Sequence, residues 1–124
     1  MPFISKSKTL HWTFHARDKM RFYRLSEARV RRVLHSPKRV EEGVAPKTTA
    51  MMQPVSVKRV RSGESGRGQE TWNQEIWVMV EDEKEQRKII SAWRYPGMTR
   101  PKDEAVLSSL REAYREYAND KTTD

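Results

Sequence analysis

The sequence predicts an α+β fold, with an N-terminal helical hairpin packed on a three- to four-stranded antiparallel sheet and a closing C-terminal helix. Three observations lead there. Apolar residues recur at helical spacing before Pro37, alternate or run continuously from there to Tyr95, and return to helical spacing after Pro101. Strands gathered between helices point to one sheet with helices packed against it.

Each element has its own local cause. Leu10, Trp12 and Phe14 alternate with His11 and Thr13, which predicts a short first strand over residues 8 to 13. Thr13 then caps a first helix, in which Ala16, Met20 and Tyr23 form a narrow apolar stripe beside a basic one of Arg17, Arg21 and Arg24. Ser26 is a second N-cap, because its hydroxyl accepts from a free backbone N–H, and Leu25 packs on Val30 as a hydrophobic staple. Val30, Val33 and Leu34 are the buried face of the second helix. Ser36-Pro37 ends it, since proline disfavours the helical conformation in the residue before it.

KRVEEGV predicts a weak strand and TTAMMQPVSV a better one, whose Pro54 points to an edge or a bulge. KRVRSGESGRGQE, residues 58 to 70, lacks apolar periodicity and reads as a mobile basic loop. The apolar run Ile76 to Val80 suits a strand covered on both faces. With RKIISAWRY it predicts a central hairpin, joined through the polar turn EDEKEQ. Pro96-Gly97 and Pro101 break the chain before KDEAVLSSLREAYREY, a helix presenting Val106, Leu110, Ala113, Tyr114 and Tyr117 to the sheet. Residues 118 to 124 read as a frayed tail.

At 124 residues the chain fits a single domain spanning residues 1 to 124, which buries roughly two-thirds of its unfolded surface on folding. No apolar stretch is long enough to span a membrane, no signal-like run opens the chain, and there is no cysteine. A cytoplasmic protein without thiolate metal ligands or cofactor is expected. Net charge is +8 and unevenly placed. Residues 1 to 68 hold 16 Lys or Arg against 5 Asp or Glu, whereas residues 69 to 124 hold 9 against 12. A concentrated positive field attracts polyanions, so RNA is the leading partner, with solubility as the ordinary alternative reason for a basic surface.

The run FHARDKMRFYRLSEARVRRVLHSPKRVEEG resembles the start of a group of small bacterial domains whose pattern opens a helix with "HA", continues through Arg and Met to a Leu-Ser cap, and ends a second helix at Pro. IWVMVEDE and KIISAWRY are similar to the strand pair that closes that domain, so the resemblance covers roughly residues 10 to 95. That group is placed near the RelE/ParE-like toxins, many of them metal-independent ribonucleases. The resemblance implies a helical pair on an antiparallel sheet, RNA cleavage, and an acidic antitoxin-like partner; a non-catalytic nucleic-acid-binding module and a protein-binding ParE-like inhibitor are the alternatives. BrnT-like toxins are a second similar group, from which the Trp in IISAWR departs.

Metal-free RNA cleavage needs a group titrating near neutrality and fixed positive charge beside it. His15 fits the first requirement, because the opening turn of a helix favours a phosphate. Lys19 follows at i+4, Arg94 near the end of the last strand can reach the same place, and Tyr95 offers a proton or a stacking surface. These four are the candidate catalytic residues. Arg17, Arg29, Arg32, Lys58, Arg59, Arg61 and Arg67 are the candidate phosphate contacts. The competing reading has His15 bonded to a backbone carbonyl and Arg94 paired with Glu75. Trp12 and Trp72 keep some claim to base stacking, Trp77 and Trp93 belong to the core, and His35 caps a helix C-terminus. Glu41 and Glu42, being adjacent, point to opposite sides of a strand and suggest no metal centre.

Overall fold

The computed structural model describes residues 8 to 61 and 68 to 120. Its elements are β1 (Thr9–Trp12), α1 (Phe14–Tyr23), α2 (Glu27–His35), β2 (Arg39–Glu42), β3 (Thr48–Pro54), β4 (Lys58–Arg61), β5 (Gly68–Thr71), β6 (Glu75–Asp82), β7 (Gln86–Tyr95) and α3 (Glu104–Asp120). The fold is α+β. Five strands form one sheet in the order β1-β7-β6-β3-β2, and β4 and β5 form a separate two-stranded ribbon.

The sheet is mixed rather than antiparallel, which corrects the expectation. β1 runs parallel to β7, pairing Thr9 with Gln86 and Trp12 with Ile89, while every other neighbouring pair is antiparallel. Alternation in residues 8 to 13 predicts a strand, but alternation carries no information about the direction of the neighbour. The central hairpin is present as β6 and β7. Pro54 is the last residue of β3, an interior strand whose pairing with β2 stops at Met52, so at Pro54 the strand has a neighbour on the β6 side only, and no bulge is involved. A missing N–H is tolerated at a strand end because little of the ladder depends on it.

Both faces of the sheet are covered. Ile76, Val78 and Val80 of β6 pack with Ala16 and Met20 of α1 and with Val30 and Val33 of α2. Trp77 and Met79 face the other way, onto Val106, Leu110, Ala113 and Tyr117 of α3. Fully burying a side chain of this size contributes about 1.5–3 kcal/mol, so the apolar run at 76 to 80 is the main anchor of both layers. α1 packs chiefly on β7, and α2 on β6 and β3. The first two helices are therefore held by the sheet, across a three-residue link of Arg24, Leu25 and Ser26, rather than as a hairpin closed on itself.

Between Met79 and Val80 the register of β6 on β7 slips, because Met79 pairs with Ser91 and Val80 with Ile89. The extra residue is Ile90. It shifts the alternation of β7 so that Ile89 and Ala92 face α1 and α2 while Ile90 and Trp93 face α3. Trp93 consequently stacks on its cross-strand partner Trp77, with centroids 6.1 Å apart and planes 4° from parallel.

Residues 58 to 70 are not simply a loop. Lys58 to Arg61 pair antiparallel with Gly68 to Thr71, and only residues 62 to 67 between them, Arg67 included, lie outside the described residues. Cross-strand pairing replaced the missing apolar signal: Arg59 stands opposite Glu70, its guanidinium 3.9 Å from the carboxylate. α3 likewise continues through Asp120, so residues 118 to 120 are helical rather than frayed, and residues 121 to 124 lie outside the described residues.

Candidate functional site

The N-terminal half of the site is set by two caps. Thr13 accepts from the Ala16 N–H at 3.1 Å and donates its own hydroxyl to the Ile89 carbonyl at 2.9 Å, which fixes the start of α1 against β7. Ser26 accepts from the Arg29 N–H at 3.0 Å and starts α2. Arg24 between them adopts the left-handed conformation that ends α1.

Arg94 completes that turn. Its guanidinium donates to the Tyr23 carbonyl at 2.7 Å, to the Arg24 carbonyl at 3.3 Å and to the Gln74 side chain at 3.1 Å. The residue expected to hold phosphate, or else to pair with Glu75, first of all bonds the carbonyls at the C-terminus of α1. A cation is favourable there because the carbonyls at a helix C-terminus carry partial negative charge. A guanidinium has five N–H donors, so two remain for an anion after these three bonds.

Arg29 and Arg32 stand beside it on α2. Burial, followed by the charges of Arg32 and Arg94, lowers the Arg29 guanidinium from its usual pKa. Gln53 orders the group, accepting from Arg29 and donating to the Arg32 and Ser36 carbonyls at 3.0 and 2.7 Å. No carboxylate is paired with Arg29, Arg32 or Arg94 among the described residues. The fold has gathered three guanidinium groups from α2 and β7 without neutralising them.

Adjoining this cluster is a cleft of about 340 Å³ between α1, β7 and α3. Lys19 and Tyr23 line it from α1, Trp93, Arg94 and Tyr95 from β7, and Glu116 from α3. Lys19 and Glu116 are bridged at 2.6 Å. Three of the four residues expected to do chemistry thus meet here.

His15 does not join them. Its ring is 5 % exposed, packs edge-on against Tyr117, and donates through Nδ1–H to the Asp120 carboxylate at 2.7 Å. Nε2 is buried and has no hydrogen-bond partner among the described residues. An imidazole walled off in this way does not reach a polymer backbone on the surface, so the expected acid–base centre is not assembled around His15. The alternative of a backbone carbonyl partner is also replaced, by a carboxylate from the far end of α3. Helical spacing placed His15 and Lys19 on one face but could not say that α3 covers the first and leaves the second at a cleft.

The other expected contacts are scattered. Arg17 pairs with Glu27 at 3.1 Å and lies 5.8 Å above the Trp12 ring, which Arg31 approaches at 5.4 Å, so Trp12 is engaged by cations. Trp72 donates to Glu75 at 2.8 Å and is half-buried. Lys58 and Arg59 are exposed on the ribbon with Arg61 at the end of its first strand, while Arg67 is outside the described residues. His35 is the last residue of α2, and His11 is exposed on β1.

No protein-family model, curated protein or solved structure matches this chain.

One network escaped the sequence reading. Glu75 is fully buried and accepts from the indole N–H of Trp77 at 2.9 Å, from the Thr99 N–H at 2.8 Å and from the Thr99 hydroxyl at 2.7 Å, as well as from Trp72. Arg39 donates to the Thr99 carbonyl and hydroxyl and to Glu41, and lies 5.4 Å above Trp77. Together they bind the β7–α3 connection to the sheet. A glutamate between two tryptophans at the start of an apolar run was the available signal.

Proposed function

We propose that the domain binds RNA, with backbone phosphates seated on Arg29, Arg32 and Arg94. The supporting observation is the unneutralised cluster these three residues form beside the α1–α2 link. Many other cations are placed against acids, among them Lys19 with Glu116, Arg17 with Glu27 and Lys38 with Glu70. Keeping guanidinium groups together without a counter-charge is unfavourable in the free protein, and a phosphate chain relieves that repulsion. Cleavage, as the RelE/ParE-like resemblance implies, is the lesser proposal, because the cleft offers Tyr95 and Lys19 but not His15. An acidic antitoxin-like protein would compete for the same basic surface.

The test is fluorescence anisotropy of a labelled single-stranded RNA 20-mer titrated across salt concentrations. Arg29→Ser with Arg32→Ser should weaken binding at least about tenfold and make the log–log salt dependence shallower by about 1.4, if each residue neutralises one phosphate. Unchanged affinity in the double variant would overturn the assignment. Incubating the protein with total RNA in the presence of chelator checks the lesser proposal, for which cleavage products are required.

A further inference from the structure

The cleft beside the guanidinium cluster differs from it in chemical character. Apart from Arg94 at its edge, its charges are already balanced within the fold: Lys19 bridges Glu116, and Glu112, also on its α3 wall, pairs with Arg115. A phosphate or a metal ion gains little from such a lining. Tyr23, Trp93 and Tyr95 bring three aromatic rings to it, and Ser108 adds a hydroxyl at an exposed position of α3. The fitting occupant is neutral, planar and polar at its edge.

Trp93 supplies a second, independent observation. The residue is 8 % exposed, and its indole N–H is buried without an acceptor among the described residues. A buried donor left unpaired costs about 1–3 kcal/mol, which makes it rare and in need of a reason. The indole of Trp77 on the same side of the sheet, by contrast, has Glu75. The unpaired N–H belongs to a residue that lines the cleft, although the nitrogen itself is closed to solvent in the free protein.

Arg94 connects the two regions, since it lines the cleft and also stands in the cluster with Arg29 and Arg32. We infer that the cleft takes one unstacked base of a single-stranded RNA whose adjacent phosphate lies on Arg94, an inference that rests on the RNA-binding reading. The base lies among Tyr23, Trp93 and Tyr95 and accepts from the Trp93 N–H. At about 340 Å³ the cleft is at the small end of ligand sites, which run to about 1,000 Å³. Aromatic stacking of splayed bases is how sequence-tolerant single-strand recognition is ordinarily achieved.

The experiment compares a single-stranded oligouridylate decamer with an abasic ribose-phosphate decamer of equal charge. Anisotropy gives both affinities, and the indole resonance of Trp93, assigned through Trp93→Phe, reports occupancy of the cleft. The base-bearing strand should bind about tenfold more tightly or better, and it alone should shift the Trp93 resonance. Ser108→Phe, which closes the cleft from an exposed position, should bring the base-bearing strand down to the affinity of the abasic one and leave the abasic strand unaffected. Equal binding of both strands, still lost in the Arg29→Ser, Arg32→Ser variant, would overturn the base site and leave the phosphate reading standing. Failure of both strands to bind would overturn both.

Discussion

Glu75 shows how much a single side chain can hold in this protein. Its carboxylate is fully buried and satisfies donors from Trp72, Trp77 and Thr99, so the charge is balanced by four hydrogen bonds and by Arg39 bonded to the same threonine. Removing one partner of such a network leaves the others buried and unpaired. Glu75→Ala should destabilise the domain by about 3 kcal/mol or more, seen as a lower denaturant midpoint with an unchanged slope. An unchanged midpoint would show that the network contributes no stability. His15 makes the complementary point. A histidine in the first turn of a helix has the residue type for catalysis, yet Asp120 and Tyr117 enclose it. Both residues take their roles from positions distant in the sequence, Thr99 and Asp120, and no local pattern around 75 or 15 contains them.

Among the elements, α3 depends most visibly on one local device. Asp103 precedes its first turn and accepts from the Val106 N–H at 2.8 Å and the Arg100 N–H at 2.9 Å. Those backbone bonds, from Arg100 first and then Val106, hold its carboxyl below the usual aspartate range. Asp103→Ala should cost about 1 kcal/mol by loosening the start of α3, while Asp103→Asn, which keeps an acceptor, should cost less; thermal denaturation of the two variants distinguishes them. Caps of this kind were legible at Thr13 and Ser26 because a cap and the N–H it serves lie within three residues. The β4–β5 ribbon was not, because short polar strands without a buried face produce no alternation. Nor was the extra residue Ile90 in β7, although it aims Trp93 at α3 and so forms one wall of the cleft.

At the scale of the molecule, charge governs how stability responds to pH. Asp82 at the end of β6 bonds Arg87 at 2.7 Å and lies 3.4 Å from Lys8. Burial raises its pKa, but the Arg87 bond and the charges of Arg87 and Lys8 outweigh that and hold it below the ordinary value. A carboxyl lowered on folding contributes stability above its unfolded pKa, near 4, and loses it as pH falls through the lower folded value. Stability should therefore decline below about pH 4, and Asp82→Asn should make the decline shallower, as followed by melting temperature against pH. The same ion pairs bear on function, because acids placed against Lys8, Lys19 and Arg17 leave Arg29, Arg32 and Arg94 as the concentrated positive field.

Helical spacing, the two caps and the apolar run at 76 to 80 by themselves determined that this chain makes three helices and a central hairpin, since each is an interaction among residues a few positions apart. Composition likewise determined that the surface is basic. The direction of β1, the burial of His15, the capping role of Arg94 and the approach of Arg29 to Arg94 were decided only by the tertiary structure. The physical reason is common to all four. Each depends on contact between segments dozens of residues apart, and the sheet order brings those segments together through packing that no short window of sequence contains.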